Sequence, residues 1–188
     1  MTKQTKSTQG TEGSFNTCAH LVQPEKDKVL QEQYDNLLKQ GKDPLHVIFE
    51  NQLSLQMSLH SKLPEFNPDP RDLTRNGTAG EVCDWVTRNR DCIADEMQEL
   101  VVSLGQMSRG EKAASDIWKQ WKSGHSKARD TKYSDFSNDD KLEVQMEFID
   151  IFHFVINLGI GLGMSSSDIF KLYALKNEEN MNRYEAGY

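Results

Sequence analysis

The sequence predicts an all-α fold, a bundle of about six helices. Three observations point there. All five prolines fall at positions 24, 44, 64, 68 and 70, so the stretch from Arg71 to Tyr188 has none. A long proline-free span rich in Glu, Lys, Leu and Met favours helix. Runs that alternate apolar and polar with period two are scarce, and none is flanked by a convincing hairpin dipeptide.

The elements follow in chain order. Residues 1–16 are rich in Thr, Ser, Gly and Gln and read as a flexible polar tail, leaving 17–188 as a single helical domain. Val29, Leu30, Tyr34, Leu37 and Leu38 recur at helical spacing and end at Gly41, a suitable residue just past a helix. Asp43-Pro44 reads as an N-cap followed by proline in the first turn. The helix that follows carries Leu45, Ile48, Gln52, Leu55 and Leu59 on one face. Residues 63–72 hold three prolines and read as a loop. Thr78-Ala79-Gly80-Glu81 and Ser108-Arg109-Gly110-Glu111 both fit the capping box, with a break over 105–110 between them. Residues 124–137 are polar and read as a second loop. Ser137 then caps a long helix to about Leu158, and Ser165-Ser166-Ser167-Asp168 opens the last one.

Charge and composition exclude several function classes. A net charge of −7 argues against a general nucleic-acid binder, which needs a basic surface. No uncharged apolar run approaches the ~20 residues of a membrane helix. The stretch 148–164 is interrupted by Asp150, His153, Asn157 and glycines. The polar N-terminus lacks the apolar region of a secretion signal. Cys18, Cys83 and Cys92 are odd in number and have no metal-type spacing, so they read as reduced thiols in a cytoplasm.

Against this background a few residues stand out. The segment from Met146 to Ile156 is apolar all round and should be buried. Yet it holds Glu147 and Asp150, three apart and so on one face. Buried carboxylates are costly unless they are paired or bind metal. The helix over 93–104 carries a matching pair, Glu96 and Glu99. Four converging carboxylates would repel one another, and a hard divalent cation with oxygen ligands, Mg²⁺ or Mn²⁺, resolves the conflict. Partner Lys or Arg residues, or plain solvation, are the alternative. On the last helix Ile169, Tyr173, Lys176, Asn180 and Arg183 share one stripe, which ends in groups suited to phosphate. Gln52 and Gln56 lie on an apolar helix face, where an amide must be hydrogen-bonded, either within the core or to the edge of a base. Trp85, Trp118 and Trp121 could stack on a base but equally suit a core. His153 reads as a packed, hydrogen-bonded histidine rather than a ligand.

Taken together, Glu96-Met97-Gln98-Glu99 and Glu147-Phe148-Ile149-Asp150 resemble the paired acidic motifs of the all-α nucleotide pyrophosphohydrolases, the MazG-like and dimeric dUTPase superfamily. The likeness is strongest to its phage dCTPase-dUTPase type. It extends through Cys18-Ala19-His20-Leu21, Thr78-Ala79-Gly80-Glu81-Val82, Ile93-Ala94-Asp95-Glu96, Trp118-Lys119-Gln120-Trp121-Lys122, Phe152-His153-Phe154 and Leu162-Gly163-Met164-Ser165. The ending matches too, from Ile169 to Gly187-Tyr188. The resemblance implies Mg²⁺-dependent hydrolysis of dCTP and dUTP, and of the diphosphates in second place, to the monophosphate. Pyrophosphate is the product released from the triphosphates. It implies a homodimer in the host cytoplasm, with neither nucleic acid nor membrane as partner.

By the same resemblance Glu96, Glu99, Glu147 and Asp150 hold the metal, and Glu99 or Glu96 orients or deprotonates the attacking water. Lys176, Asn180 and Arg183 grip the phosphates, helped by Lys119 and Lys122. Gln52, Gln56 and Trp85 serve the base. Dimeric dUTPases typically carry Gln-x-x-Leu-Asn on the base helix, whereas this chain has Gln52-Leu53-Ser54-Leu55-Gln56. That departure fits tolerance of cytosine, and a dUTP-only enzyme is the alternative. Two readings from other classes remain. A di-iron carboxylate bundle needs two Glu-x-x-His motifs, and this chain has only Asp150-x-x-His153. A non-catalytic helical interaction module predicts no nucleotide turnover at all.

Overall fold

The computed structural model describes residues 21–187. The expected tail over 1–16, Cys18 with its neighbours Ala19 and His20, and the terminal Tyr188 lie outside the described residues. Among the described residues there is no strand, and the fold is all-α. Five helices are long: α1 (Pro24–Lys39), α2 (Pro44–Lys62), α4 (Ala79–Ser103), α7 (Asn138–Gly161) and α8 (Ser166–Glu185). Three are short: α3 (Pro70–Arg75), α5 (Glu111–Ala114) and α6 (His125–Asp130). The chain divides into two compact units, one of residues 22–100 with 145–188 and the other centred on 101–144.

Most boundaries are set by the expected local chemistry. Gly41 takes φ +65°, the left-handed conformation that ends α1 at low cost. The Asp43 side chain accepts from the Leu45 amide at 2.9 Å, and Pro44 fills the first turn of α2. The Thr78 box forms in both directions: the Thr78 amide donates to Glu81 at 2.7 Å, and the Glu81 amide donates to Thr78 Oγ1 at 3.3 Å. The Ser165 and Asp168 box at the start of α8 forms in the same way.

Three expectations are corrected. Residues 63–72 are not wholly loop, because Asp69 caps α3 and Pro70 opens it. Residues 124–137 contain α6 and a 3₁₀ turn, Tyr133–Asp135. The Ser108 box does not form: Gly110 precedes α5 with no side-chain cap. Ser108 is instead drawn to a distant carboxylate, its amide donating to Asp140 Oδ1 at 2.8 Å and its hydroxyl to Oδ2 at 2.7 Å. Ser137 does cap α7, accepting from the Asp140 amide at 3.0 Å and donating to Asp140 Oδ2 at 2.7 Å. Asp140 is buried at 3% exposure. Burial pushes its carboxyl up, but the hydrogen bonds from the Ser108 hydroxyl, the Ser108 amide and Ser137 outweigh it and leave the carboxyl below the ordinary Asp value.

The core of the first unit is built on Phe49, Leu73, Trp85 and Ile156. α4 and α7 come close there because residue 161 is glycine: a side chain at Gly161 would collide with the Trp85 indole. A buried amide chain adds polar specificity to the same contact. Asn89 donates to the Trp85 carbonyl at 2.9 Å, and Asn157 donates to Asn89 Oδ1 at 2.8 Å. By length and composition α7 is apolar enough to cross a membrane, a test that core helices of water-exposed proteins also pass. Its expected full burial is not met within one chain. Phe148 and Val155 are exposed, and so are Phe170, Tyr173, Leu175 and Tyr184 of α8.

Candidate metal and nucleotide site

The acidic motifs meet between α4 and α7. One carboxylate oxygen each from Glu96, Glu147 and Asp150 lie within 4.8 Å of one another. Helix geometry explains the α7 contribution, since residues three apart rise on one face about one turn apart. Glu96 and Glu147 are half-buried, and Asp150 is exposed. Glu99, one turn beyond Glu96, is exposed and stands outside this group of three. Its charge still reaches the cluster. Burial pushes the Glu96 carboxyl above the usual Glu range, and the negative charges of Glu99, Asp150 and Asp95 push it further. Among the described residues neither Glu96 nor Asp150 takes part in an ion pair with Lys, Arg or His. An all-oxygen donor set with mutual repulsion fits a hard divalent cation. The cluster is therefore a possible metal site.

Beside it, α2 and α7 enclose an apolar cavity of about 260 Å³. Ile48, Gln52 and Leu55 line it from α2; Ile149, Phe152, His153 and Ile156 line it from α7. The α2 residues belong to the stripe that the sequence marks as its apolar face. Asn51, which also lines the cavity, escapes sequence reasoning because it sits just off that stripe. Gln52 is 5% exposed and its Oε1 lies 2.7 Å from His153 Nδ1, so its hydrogen-bond partner is a residue 101 positions away. His153 is thus hydrogen-bonded, as its sequence context suggests. Gln56, one turn along α2, is also buried.

The remaining site candidates are placed differently. Trp85 is a core residue at 3% exposure, with its indole against Gly161, and it is absent from the cavity lining. Lys176, Asn180 and Arg183 lie on the exposed length of α8, where Arg183 Nε donates to Glu179 Oε1 at 2.7 Å. Lys119 and Lys122 belong to the second unit. There the Lys119 ammonium donates to Ser115 Oγ at 2.5 Å and lies 5.0 Å from the Trp118 ring centroid. Trp121 meets Trp118 edge-on at 5.7 Å between centroids. Cys83 and Cys92 are free thiols; burial, then the charges of Glu96, Asp91 and Asp95, push the Cys92 thiol up.

Comparison with known proteins adds an independent line. The chain is 45% identical over 174 residues to the dCTP pyrophosphatase of Enterobacteria phage T4, which spans 93% of this chain and 98% of that protein. It is 47% identical over 174 residues to the dCTP pyrophosphatase of Enterobacteria phage LZ5, with the same coverage of 93% and 98%. A phage T4 protein named DNA replication protein is 45% identical over 168 residues, covering 89% of this chain and 41% of that longer protein. No family model and no solved structure matches the chain. Identity at this level, carried through nearly the whole length of two relatives, means that the chain belongs to the phage dCTP pyrophosphatase family.

Proposed function

We propose that this chain is a metal-dependent pyrophosphohydrolase that converts dCTP, and dUTP beside it, to the nucleoside monophosphate and pyrophosphate. The observation that carries this reading is the convergence of Glu96, Glu147 and Asp150 next to an apolar cavity lined by the buried amide of Gln52. The names of the relatives at 45% and 47% identity supply the substrate. The diphosphates of the same nucleosides are second-rank substrates. The reaction belongs in the cytoplasm of the bacterial host.

Glu96, Glu147 and Asp150, with Glu99 completing the set, would hold Mg²⁺ or Mn²⁺. A divalent cation bound there offsets the polyphosphate charge and polarises the phosphorus under attack. Glu99 is the carboxylate best suited to take the proton of the attacking water, because it is exposed and not part of the tight group of three. Lys176, Asn180 and Arg183 hold phosphate oxygens and stabilise the departing charge. Gln52 and Gln56 address the pyrimidine. Trp85 is a core residue on this reading.

A second copy of the chain would cover the apolar side chains that α7 and α8 leave in solvent, among them Phe148, Phe170, Tyr173 and Tyr184. A homodimer is the simplest assembly that does so. The substrate reading is tested with a panel of deoxynucleoside di- and triphosphates and ribonucleotide controls in the presence of Mg²⁺. Turnover centred on dCTP and dUTP is expected. Turnover of purine nucleotides at equal rates, or of none, would sink it.

A further inference from the structure

We propose that a second cavity of the first unit, walled by α2, α3 and the start of α8, is a ligand site for a phosphate monoester with a flat apolar body. The cavity measures about 290 Å³ and shares no lining residue with the one beside the acidic motifs. It reaches α7 at Ile160, which lies about 15 Å along the helix from Asp150. One turn of chain builds it. Gly163 takes φ +75° beyond the end of α7, and the Met164 amide donates back to the Gly159 carbonyl at 2.9 Å. A side chain at 163 would press on the Thr74 methyl of α3. The bare turn lets α3 lie against the entry to α8. Arg71 and Arg75, one helical turn apart, thereby line the same cavity as Ser165 and Ser166.

The lining says what such a ligand must carry. Ser166 is 6% exposed and borders the cavity, and among the described residues its hydroxyl has no hydrogen-bond partner. A buried hydroxyl left alone costs free energy, and a ligand oxygen would satisfy it. The neighbouring Ser165 hydroxyl is already engaged with the Asp168 amide at 3.2 Å. The amides of Ser166 and Ser167 open a 20-residue helix and have no acceptor within it. Asp168 in the same turn offsets part of the helix dipole, so the attraction for an anion falls to the two guanidinium groups. Arg75 has no ion-pair partner among the described residues. Arg71 gives Nε and Nη2 to Asp69, which leaves Nη1 for a ligand. Glu50 is the one carboxylate on the lining, and its Oε1 lies 3.3 Å from His46 Nε2. Below this polar rim, Phe49, Leu53, Ile160 and Met164 make an apolar floor. Phosphate oxygens match the guanidinium forks and the helix entry, and a flat apolar ring matches the floor.

The test is calorimetric titration of the full-length protein, stripped of divalent cations so that the acidic cluster cannot recruit phosphate. The probes are phenyl phosphate, inorganic phosphate and ribose 5-phosphate. Phenyl phosphate is expected to bind once per chain. It should bind at least about ten-fold more tightly than the other two, which lack a flat apolar body. Arg75→Ala is expected to weaken phenyl phosphate about ten-fold or more, the loss of a charge-assisted hydrogen bond. Ser166→Ala should weaken it about three- to ten-fold. Gln52→Leu, in the other cavity, should leave the affinity at the parent value. Melting curves show which variants are folded, and Arg75→Gln makes the same comparison if Arg75→Ala is not. Three results would each overturn the proposal: no saturable binding of phenyl phosphate, an affinity that the folded Arg75 variant leaves unchanged, or one lost in Gln52→Leu instead. Ribose 5-phosphate binding as tightly as phenyl phosphate also overturns it, because the apolar floor would then select nothing.

Discussion

On the proposed reading, Glu96 and Asp150 are the residues on which the chemistry turns. Each contributes one oxygen to a group within 4.8 Å, and Glu96 is already pushed toward its protonated form by burial and by neighbouring charge. Asp150→Asn and Glu96→Ala are expected to lower Mg²⁺-dependent pyrophosphate release by more than about 100-fold, since even supporting partners of metal ligands can cost that much. Thermal stability without metal should hold or rise, because the substitution relieves repulsion; activity measured beside a melting curve checks both. Asp140 behaves in the opposite way. Its folded-state carboxyl lies below its unfolded value, so it contributes stability that is present above about pH 4 and is lost as pH falls through the lower folded value. Asp140→Asn should cost about 1–3 kcal/mol at pH 7 in urea unfolding, and less at pH 3. An equal cost at both pH values would contradict the assignment. The acidic pairs were legible in the sequence because carboxylates three apart in an apolar helix have few innocent explanations. The partner of Gln52 was not, because nothing in a local pattern links position 52 to position 153.

Among the elements, α4 and α7 are where local signals and packing meet. Gly161→Ala places a methyl group against the Trp85 indole and is expected to destabilise by about 1–3 kcal/mol, as overpacking does. Chemical denaturation of that variant checks it. The caps at Asp43, Thr78, Ser137 and Ser165 were readable because each satisfies backbone amides within a few residues of itself. Ser108 was misread for the same reason in reverse. Its local partner would have been Glu111, but Asp140, 32 residues away, offers both carboxylate oxygens. α3 and α6 were missed because each has six residues, too few for an apolar period to declare itself.

At the scale of the whole molecule, a net charge of −7 first argues against anionic ligands. On the proposed reading, concentrating part of that charge in a cation site would let an acidic chain take a nucleotide. The apolar side chains exposed on α7 and α8 predict self-association. Sedimentation equilibrium should return about twice the 21.5 kDa chain mass, and Tyr173→Glu with Phe170→Glu should reduce it to one chain. The extended apolar run of α7 was visible in the sequence, but whether it is covered by this chain or by a second one is not encoded in its period. The most direct test of the central claim is product identification after incubating the purified protein with dCTP, with Mg²⁺ and with EDTA in its place. Stoichiometric dCMP and pyrophosphate with Mg²⁺, and neither with EDTA, is the predicted result. Release of orthophosphate with dCDP, or equal turnover in EDTA, would contradict it.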